Sequence, residues 1–309
     1  MSQPPPPALL FPSQEKTLPA NPRLRANIEH VLEHGYVILE NVFTKSQAEE
    51  AKAEISRLGG NAPKVGRTAF EGLNTNRIYS LLNKTRVFDK FCTLPDVLAL
   101  NDYFLEPQSQ LHVLHTIQIN PREEAQALHH DDAFINVPRP RPPFGTAIIV
   151  AFDDFTPTNG ATRIIPKSHT WPQGRRPREE ETQPAVCPAG SVVYFTSLLW
   201  HGGGANQTDL PRKSMTVQYC QPYIRPIENM VLSVDPRRLP EIPERIVEMM
   251  GYAIHKPFIG YADGLEPLKG ADRMVNWLQR PLDPSPPTFA DWKGKATARK
   301  GDEGIKSKI

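Results

Sequence analysis

Two segments far apart in the chain constrain its fold more than any other feature: Leu128-His129-His130-Asp131-Asp132 and Trp200-His201-Gly202-Gly203-Gly204. A histidine, a carboxylate two residues later and a distant second histidine can occupy three adjacent corners of an octahedron. That set leaves three corners open, which is how non-heme Fe(II) oxygenases hold iron and activate O2. A chain that uses it must bring both segments onto neighbouring strands. In a strand, residues i and i+2 share a face. His129 with Asp131 obeys that rule, and His130 with Asp132 obeys it on the opposite face, so spacing alone does not choose between the pairs. His201 ends the apolar run Ser191 to Trp200, which reads as a buried strand.

The residues after His201 extend the pattern. Gly202 to Asn206 is turn chemistry. Arg212 then opens a stretch in which Met215, Val217 and Tyr219 alternate. A strand, a turn and a returning strand bring Arg212 back towards the metal pocket. A guanidinium grips a carboxylate through paired hydrogen bonds. The distal carboxylate of 2-oxoglutarate needs such a partner while its keto-acid end chelates iron.

Three ordered strings carry a family resemblance. They are Gln126-Ala127-Leu128-His129-His130-Asp131, then Asn159-Gly160-Ala161-Thr162-Arg163-Ile164-Ile165-Pro166-Lys167-Ser168-His169-Thr170-Trp171, then Trp200-His201-Gly202-Gly203 with Arg212. Across about residues 26 to 225 the chain resembles the phytanoyl-CoA dioxygenase family of Fe(II)/2-oxoglutarate enzymes. It is most similar to the branch that oxidises fungal natural products, which includes fumitremorgin B endoperoxidase and the austinol-pathway dioxygenases. The resemblance implies His129, Asp131 and His201 as catalytic iron ligands, because in that family a leucine precedes the first ligand. It implies Gln126, Thr162 and Arg212 as the 2-oxoglutarate contacts, with His130 and Asp132 as neighbours that orient the ligands. The segment Asn74 to Tyr79 resembles the family's substrate-side wall, where Arg77 is the candidate contact for a polar substrate group. Relatives are often homodimers, so the resemblance also implies a homodimer. One departure is Lys167, where the family usually carries glycine.

The remaining pattern fits around this site. Arg23 to His34 has helical apolar spacing, and Gly35 stops it. Tyr36 to Leu39 reads as a strand. Thr44 and Gln47 form a capping box for a helix through Leu58. Residues 85 to 104 read as further helix, with Pro95 in a first turn. Leu111, Val113, Ile117 and Ile119 alternate as a strand, and Thr146 to Phe152 forms another. His112 and His115 fall on opposite faces of the first, so they cannot both line the pocket. His169 reads as a structural hydrogen-bonding residue and Trp200 as pocket wall. Helices first and many strands after predict a mainly β fold: a jelly-roll (double-stranded β-helix, cupin-like) barrel with helices packed outside. The expected organisation is a proline-rich arm over 1–22, the dioxygenase domain over 23–225, and an extension over 226–309 packed on the barrel.

Composition excludes some classes. With 36 Lys plus Arg against 34 Asp plus Glu, the chain lacks the basic excess of a non-specific nucleic-acid binder. No apolar run is long enough to span a bilayer. Cys92, Cys187 and Cys220 are few and scattered, as expected for buried thiols in a reducing compartment. The N-terminus carries Pro4 to Pro7 and lacks the basic start and apolar core of a signal peptide. Ser307-Lys308-Ile309 is a conservative variant of the Ser-Lys-Leu peroxisomal address, so the expected location is cytoplasmic, or peroxisomal through that tail.

These observations predict an Fe(II)/2-oxoglutarate-dependent dioxygenase. It would oxidise a small hydrophobic, secondary-metabolite-like substrate and release succinate and CO2. Two alternatives are a peroxisomal acyl-CoA α-hydroxylase, with Arg139, Arg141, Arg175 and Arg176 available for phosphates, and a metal-binding jelly roll without turnover.

Overall fold

The computed structural model describes residues 16–60, 66 and 68–279. Pro4 to Pro7, the lysine-rich tail and Ser307-Lys308-Ile309 lie outside these residues. Helix α1, Pro22–His34, starts where the Asn21 side chain accepts from the amides of Arg23 and Leu24. It ends at Gly35, whose φ of +86° is a left-handed closure. A Cβ at Gly35 would also sit 2.6 Å from both His169 Nδ1 and Leu199 Cδ1, so packing and dihedral both require glycine. Strand β1, Tyr36–Leu39, follows directly. Thr44 and Gln47 close a reciprocal capping box on helix α2, Lys45–Gly59.

Strand β2 is Thr75–Ile78. A short helix α3 (Leu81–Lys84) follows, and the helix expected over 85–104 is instead broken into α4 (Asp89–Cys92) and α5 (Pro95–Phe104). Thr85 is fully extended after α3. Pro95, which has no amide hydrogen to continue a helix, opens a new one instead. The strands that follow are β3 Gln110–Ile119, β4 Gly145–Ala151, β5 Thr162–Ile164, β6 Gln183–Pro184, β7 Val192–Thr196, β8 His201–Gly203 and β9 Arg212–Cys220.

All pairings are antiparallel. The larger sheet runs β1-β7-β4-β9-β3-β2 and the smaller β6-β5-β8. Both faces of the larger sheet are covered. Ile148, Val150, Tyr194, Met215, Val217 and Tyr219 pack with Ile28, Val31, Ala51, Phe91 and Leu100 of the helices. The intervening Ala147, Ile149, Val193 and Phe195 pack with Ala161, Ile164 and Leu199 from the smaller-sheet side. The two buried tyrosines keep their hydroxyls bonded: Tyr194 donates to Asn101 Oδ1 at 3.1 Å and Tyr219 to the Cys92 carbonyl at 3.0 Å. The result is a jelly-roll double-stranded β-helix with helices outside, although the described strands do not hydrogen-bond into one closed barrel.

Strand β3 departs from simple alternation. A bulge shifts its register between Leu111 and Val113. Leu111 therefore enters the helix-side core, whereas Val113, Ile117 and Ile119 face the opposite side. Beyond β9, Met230, Ile242, Ile246 and Met249 join the helix-side core, with short helices α6 (Met230–Ser233) and α7 (Glu244–Val247). Helix α8, Pro267–Gln279, reaches the same core through Ala271. None of the described helices is long and apolar enough to cross a membrane.

Lys167 has φ +66°, the left-handed region that glycine adopts freely. Its amide donates to the His34 carbonyl at 2.9 Å and its ammonium meets Glu33 at 3.1 Å, which holds a non-glycine residue in that turn. His169 Nε2–H donates to the Leu32 carbonyl at 3.1 Å, a structural bond as expected.

Candidate active site

The apolar run ending at His201 is not one strand. β7 stops at Thr196, a turn follows in which the Leu199 amide donates to the Thr196 carbonyl at 2.9 Å, and His201 opens β8 in the other sheet. Both halves of the run are buried, so hydrophobicity alone does not mark the corner. The His129 segment is likewise not a regular strand: His129 forms an isolated bridge with His201. The two histidines exchange backbone hydrogen bonds, His129 N to His201 O at 2.9 Å and His201 N to His129 O at 2.8 Å. This exchange sets the two rings side by side, with centroids 4.4 Å apart. A turn beginning at Asp131 then swings its carboxylate in towards both.

Asp131 Oδ1 lies 3.8 Å from His129 Nε2 and 3.7 Å from His201 Nε2. Each ring is oriented from behind. Nδ1–H of His129 donates to the Ala127 carbonyl at 3.0 Å, and Nδ1–H of His201 to the Leu199 carbonyl at 2.9 Å. Both Nε2 lone pairs therefore face the carboxylate, as metal-ligating imidazoles require. Burial pushes both histidines down to about 4, so they are neutral near pH 7. Burial also pushes Asp131 up to about 6, and its buried Oδ2 has no hydrogen-bond partner. Two neutral nitrogens, a carboxylate and an orphaned oxygen fit a divalent metal. Among the described residues this is the one group of three such side chains with donor atoms this close, all within 4.8 Å.

The competing pair is committed elsewhere. Asp132 Oδ2 accepts from Arg141 Nη1 at 2.8 Å and from the Phe144 amide at 3.1 Å. His130 lies edge-on to Trp200, 4.9 Å between centroids. The pair anchors the loop that follows the motif.

The three donors open onto a cavity of about 910 Å³ that also holds Gln126, Thr162, Arg212 and Arg77. Arg212 is 3% exposed and stacks on the Phe155 ring at 4.4 Å. Its terminal nitrogens donate to the Gly160 carbonyl and to Ser214 Oγ, and Nε has no partner. Burial lowers its pKa to about 10, which leaves it charged at neutral pH. Among the described residues no carboxylate lies within 4.0 Å of it. Gln126 spends its amide on protein: Nε2 donates to the Phe70 carbonyl at 2.9 Å, and Oε1 accepts from the Gly203 amide at 3.0 Å. Thr162 is buried and pairs with Gly203 across β5 and β8. Arg77 donates through Nε to the Glu71 carbonyl at 2.9 Å, and its charge reaches both His129 and Arg212.

Several cavity residues were missed in the sequence. Ser214, Thr216 and Gln218 share the Arg212 face of β9, and Thr216 and Gln218 line the cavity. They stand between Met215, Val217 and Tyr219, so the period-2 rule already marked them. His115 lines the cavity and His112 does not, but the bulge between Leu111 and Val113 breaks the alternation that predicted opposite faces, and His112 stacks on Phe134 of the cavity wall. Phe155 beneath Arg212 had no local signal. Of the arginines considered for phosphates, Arg141 is spent on Asp132, and Arg139 is buried with Nη2 on the Ser168 and Leu198 carbonyls.

Residues 31–214 match the family described as Phytanoyl-CoA dioxygenase (PhyH). The chain belongs to that family. It is 29% identical over 250 residues to Dioxygenase FUM3 of Gibberella moniliformis, covering 73% of this chain and 81% of the relative. Dioxygenase sphC of Aspergillus fumigatus is 27% identical over 251 residues, 74% of this chain and 68% of its own. The fold matches the epimerase SnoN, solved with Fe3+, alpha ketoglutarate and nogalamycin RO, at TM-score 0.54 and 22% identity, over 64% of this chain and 84% of that one. It matches HygX from Streptomyces hygroscopicus, solved with nickel, 2-oxoglutarate and hygromycin B, at TM-score 0.55 and 14% identity, over 66% and 90%. The chain is thus an Fe(II)/2-oxoglutarate-dependent dioxygenase whose donor set fits the metal.

Proposed function

We propose that this dioxygenase oxidises a small hydrophobic natural product, consuming O2 and 2-oxoglutarate and releasing succinate and CO2, at iron held by His129, Asp131 and His201. One observation carries the reading: the His129–Asp131–His201 donor set shares one cavity with Arg212, a buried cation that has no carboxylate partner among the described residues. Apolar walls from Val113, Ile117, Ile149 and Phe195 suit a hydrophobic skeleton. The relatives' standing as fungal dioxygenases, and the nogalamycin RO and hygromycin B held by two proteins of this fold, support a natural-product substrate, while its hydrophobic character rests on the cavity walls.

Iron bound there supplies C–H oxidation coupled to decarboxylation of 2-oxoglutarate. The chain's own residues prepare the site. The Ala127 and Leu199 carbonyls hold both imidazoles with Nε2 inward. Arg212, with Thr162 and Gln126 nearby, takes the distal carboxylate of the diacid in a site where little water competes. Arg77 gives a second cation to a polar group seated beside His129, on the substrate or on the keto-acid end of the diacid. The KM values of Arg77→Met for each ligand tell which.

Anaerobic addition of Fe(II) and 2-oxoglutarate is expected to give a charge-transfer absorbance band. Absence of the band defeats the reading. Succinate release driven by lipophilic candidates, compared with CoA thioesters, then tests the substrate class. The engagement of Arg141 by Asp132 removes one of the four arginines from the acyl-CoA alternative, and sustained succinate release rules out a binding protein without turnover. Two finer proposals accompany this one. A homodimer is tested by sedimentation equilibrium. Peroxisomal import by Ser307-Lys308-Ile309 is tested with a fluorescent fusion with and without Ile309; diffuse signal from both ends it.

A further inference from the structure

Behind Trp200 lies a second cavity of about 590 Å³. His130, Arg176 and Trp200 line both this cavity and the larger one, so the two cavities meet at these three side chains. The second cavity is rich in cations. Arg175 pairs with Glu181 at 3.0 Å and lies over the Trp171 ring at 3.6 Å, and the wall residue Glu179 pairs with Arg163. Arg139 and Arg176 remain, and neither has a carboxylate within 4.0 Å among the described residues.

Arg139 makes this a built site. It is 8% exposed, so its charge has lost most of its water. Its Nη2 donates to the Ser168 carbonyl at 2.6 Å and the Leu198 carbonyl at 2.9 Å, which fixes the guanidinium against the wall. Its Nε has no acceptor, and neither do the buried Trp200 Nε1 and His130 Nδ1 where the cavities meet. Asp132 acts on Arg139 only through space, and burying a cation without a contacting carboxylate is costly. An anionic oxygen seated between Arg139 and the exposed Arg176 would offset that cost.

We propose that the second cavity is an anion subsite for a carboxylate or phosphate end group of the substrate, whose apolar body lies in the larger cavity beside His129 and His201. The proposal rests on the larger cavity being the reaction chamber, and it narrows the substrate class to amphiphiles with one anionic end.

The test is calorimetric titration of the metal-free full-length chain with octyl phosphate, octanoate, octanol and inorganic phosphate. The two anionic amphiphiles should bind about tenfold or more tighter than octanol, the gain of one charge-assisted contact. Octyl phosphate should likewise exceed inorganic phosphate by about tenfold or more, because the apolar chain contributes. Arg139→Gln should abolish the preference but risks the fold, since Arg139 ties two backbone carbonyls. Arg176→Gln is the exposed alternative and should cut the preference to about threefold or less, with octanol affinity unchanged. Equal binding of octanol and the anions, or an intact preference in Arg176→Gln, overturns the subsite. Inorganic phosphate binding as tightly as octyl phosphate overturns the shared occupancy of the two cavities. These titrations need neither iron nor 2-oxoglutarate, so they fail or succeed independently of the charge-transfer band.

Discussion

Arg212→Met tests the diacid site most directly. Methionine keeps an unbranched side chain over Phe155 while removing the charge and every donor. Arg212 is 3% exposed and has no carboxylate partner among the described residues, so its charge awaits a ligand. A hydrogen bond to a charged group contributes about 1.5–3 kcal/mol. At about 1.4 kcal/mol per decade, the variant should bind 2-oxoglutarate roughly 10- to 140-fold more weakly. The assay is calorimetric titration of the Mn(II)-loaded protein with 2-oxoglutarate and with 2-oxobutyrate, which lacks the distal carboxylate. The second ligand closes a double-mutant cycle and removes any general damage to the cavity from the comparison. The wild type should prefer 2-oxoglutarate, and the variant should lose that preference while its 2-oxobutyrate affinity changes about threefold or less. A circular dichroism melt checks that the variant folds, since the Gly160 carbonyl and Ser214 lose their partner. Equal losses for both ligands, or none for either, would refute the assignment.

Three further outcomes are expected. His129→Ala, Asp131→Ala and His201→Ala should each lose stoichiometric metal and succinate release, whereas His130→Ala keeps the metal; the opposite pattern, read by elemental analysis, would mean the wrong pair was chosen. Burial holds His112, His129, His130 and His201 near about 4 and His115 near about 3, below the ordinary 6.5, so the unfolded chain takes up these protons first as pH falls. Their contribution is present above about 6.5 and lost towards 4. Asp131 and Asp89, both raised by burial to about 6, act in the opposite sense: their stabilising effect is full below their unfolded value of 3.8 and lost as pH rises through about 6. Five histidines outweigh two carboxyls, so the urea midpoint of metal-free protein should drop between pH 7 and pH 5, and a rise would contradict the reasoning. Gly204→Ala would place a Cβ 2.5 Å from the Ala161 carbonyl, beside β5 and β8. The expected loss is about 1–3 kcal/mol, the range for overpacking, and an unchanged melting temperature would show that the turn yields instead.

The stop of α1 and the start of α2 were legible because their signals span a few residues: Gly35 at a left-handed closure and Thr44 with Gln47. The residue types of the site were legible too, since few chemistries call for two histidines, a carboxylate and a following arginine together. The corner at Ser197 to Leu199 was not, because both sides of it are equally buried. Nor was the bulge at His112, which reverses the side on which Leu111 packs. Arg139, named in sequence only as one of four arginines available for phosphates, is buried with Nη2 on two backbone carbonyls.

By itself the sequence determined which side chains were available for metal and diacid, and the local stops and starts of the early helices. The family resemblance pointed to His129 and Asp131, but only the tertiary structure supplies the physical reason that this histidine–aspartate pair faces His201. Alternation along a segment treats its two faces alike. The symmetry is broken by contacts from distant residues: the backbone exchange between His129 and His201, and the capture of Asp132 by Arg141.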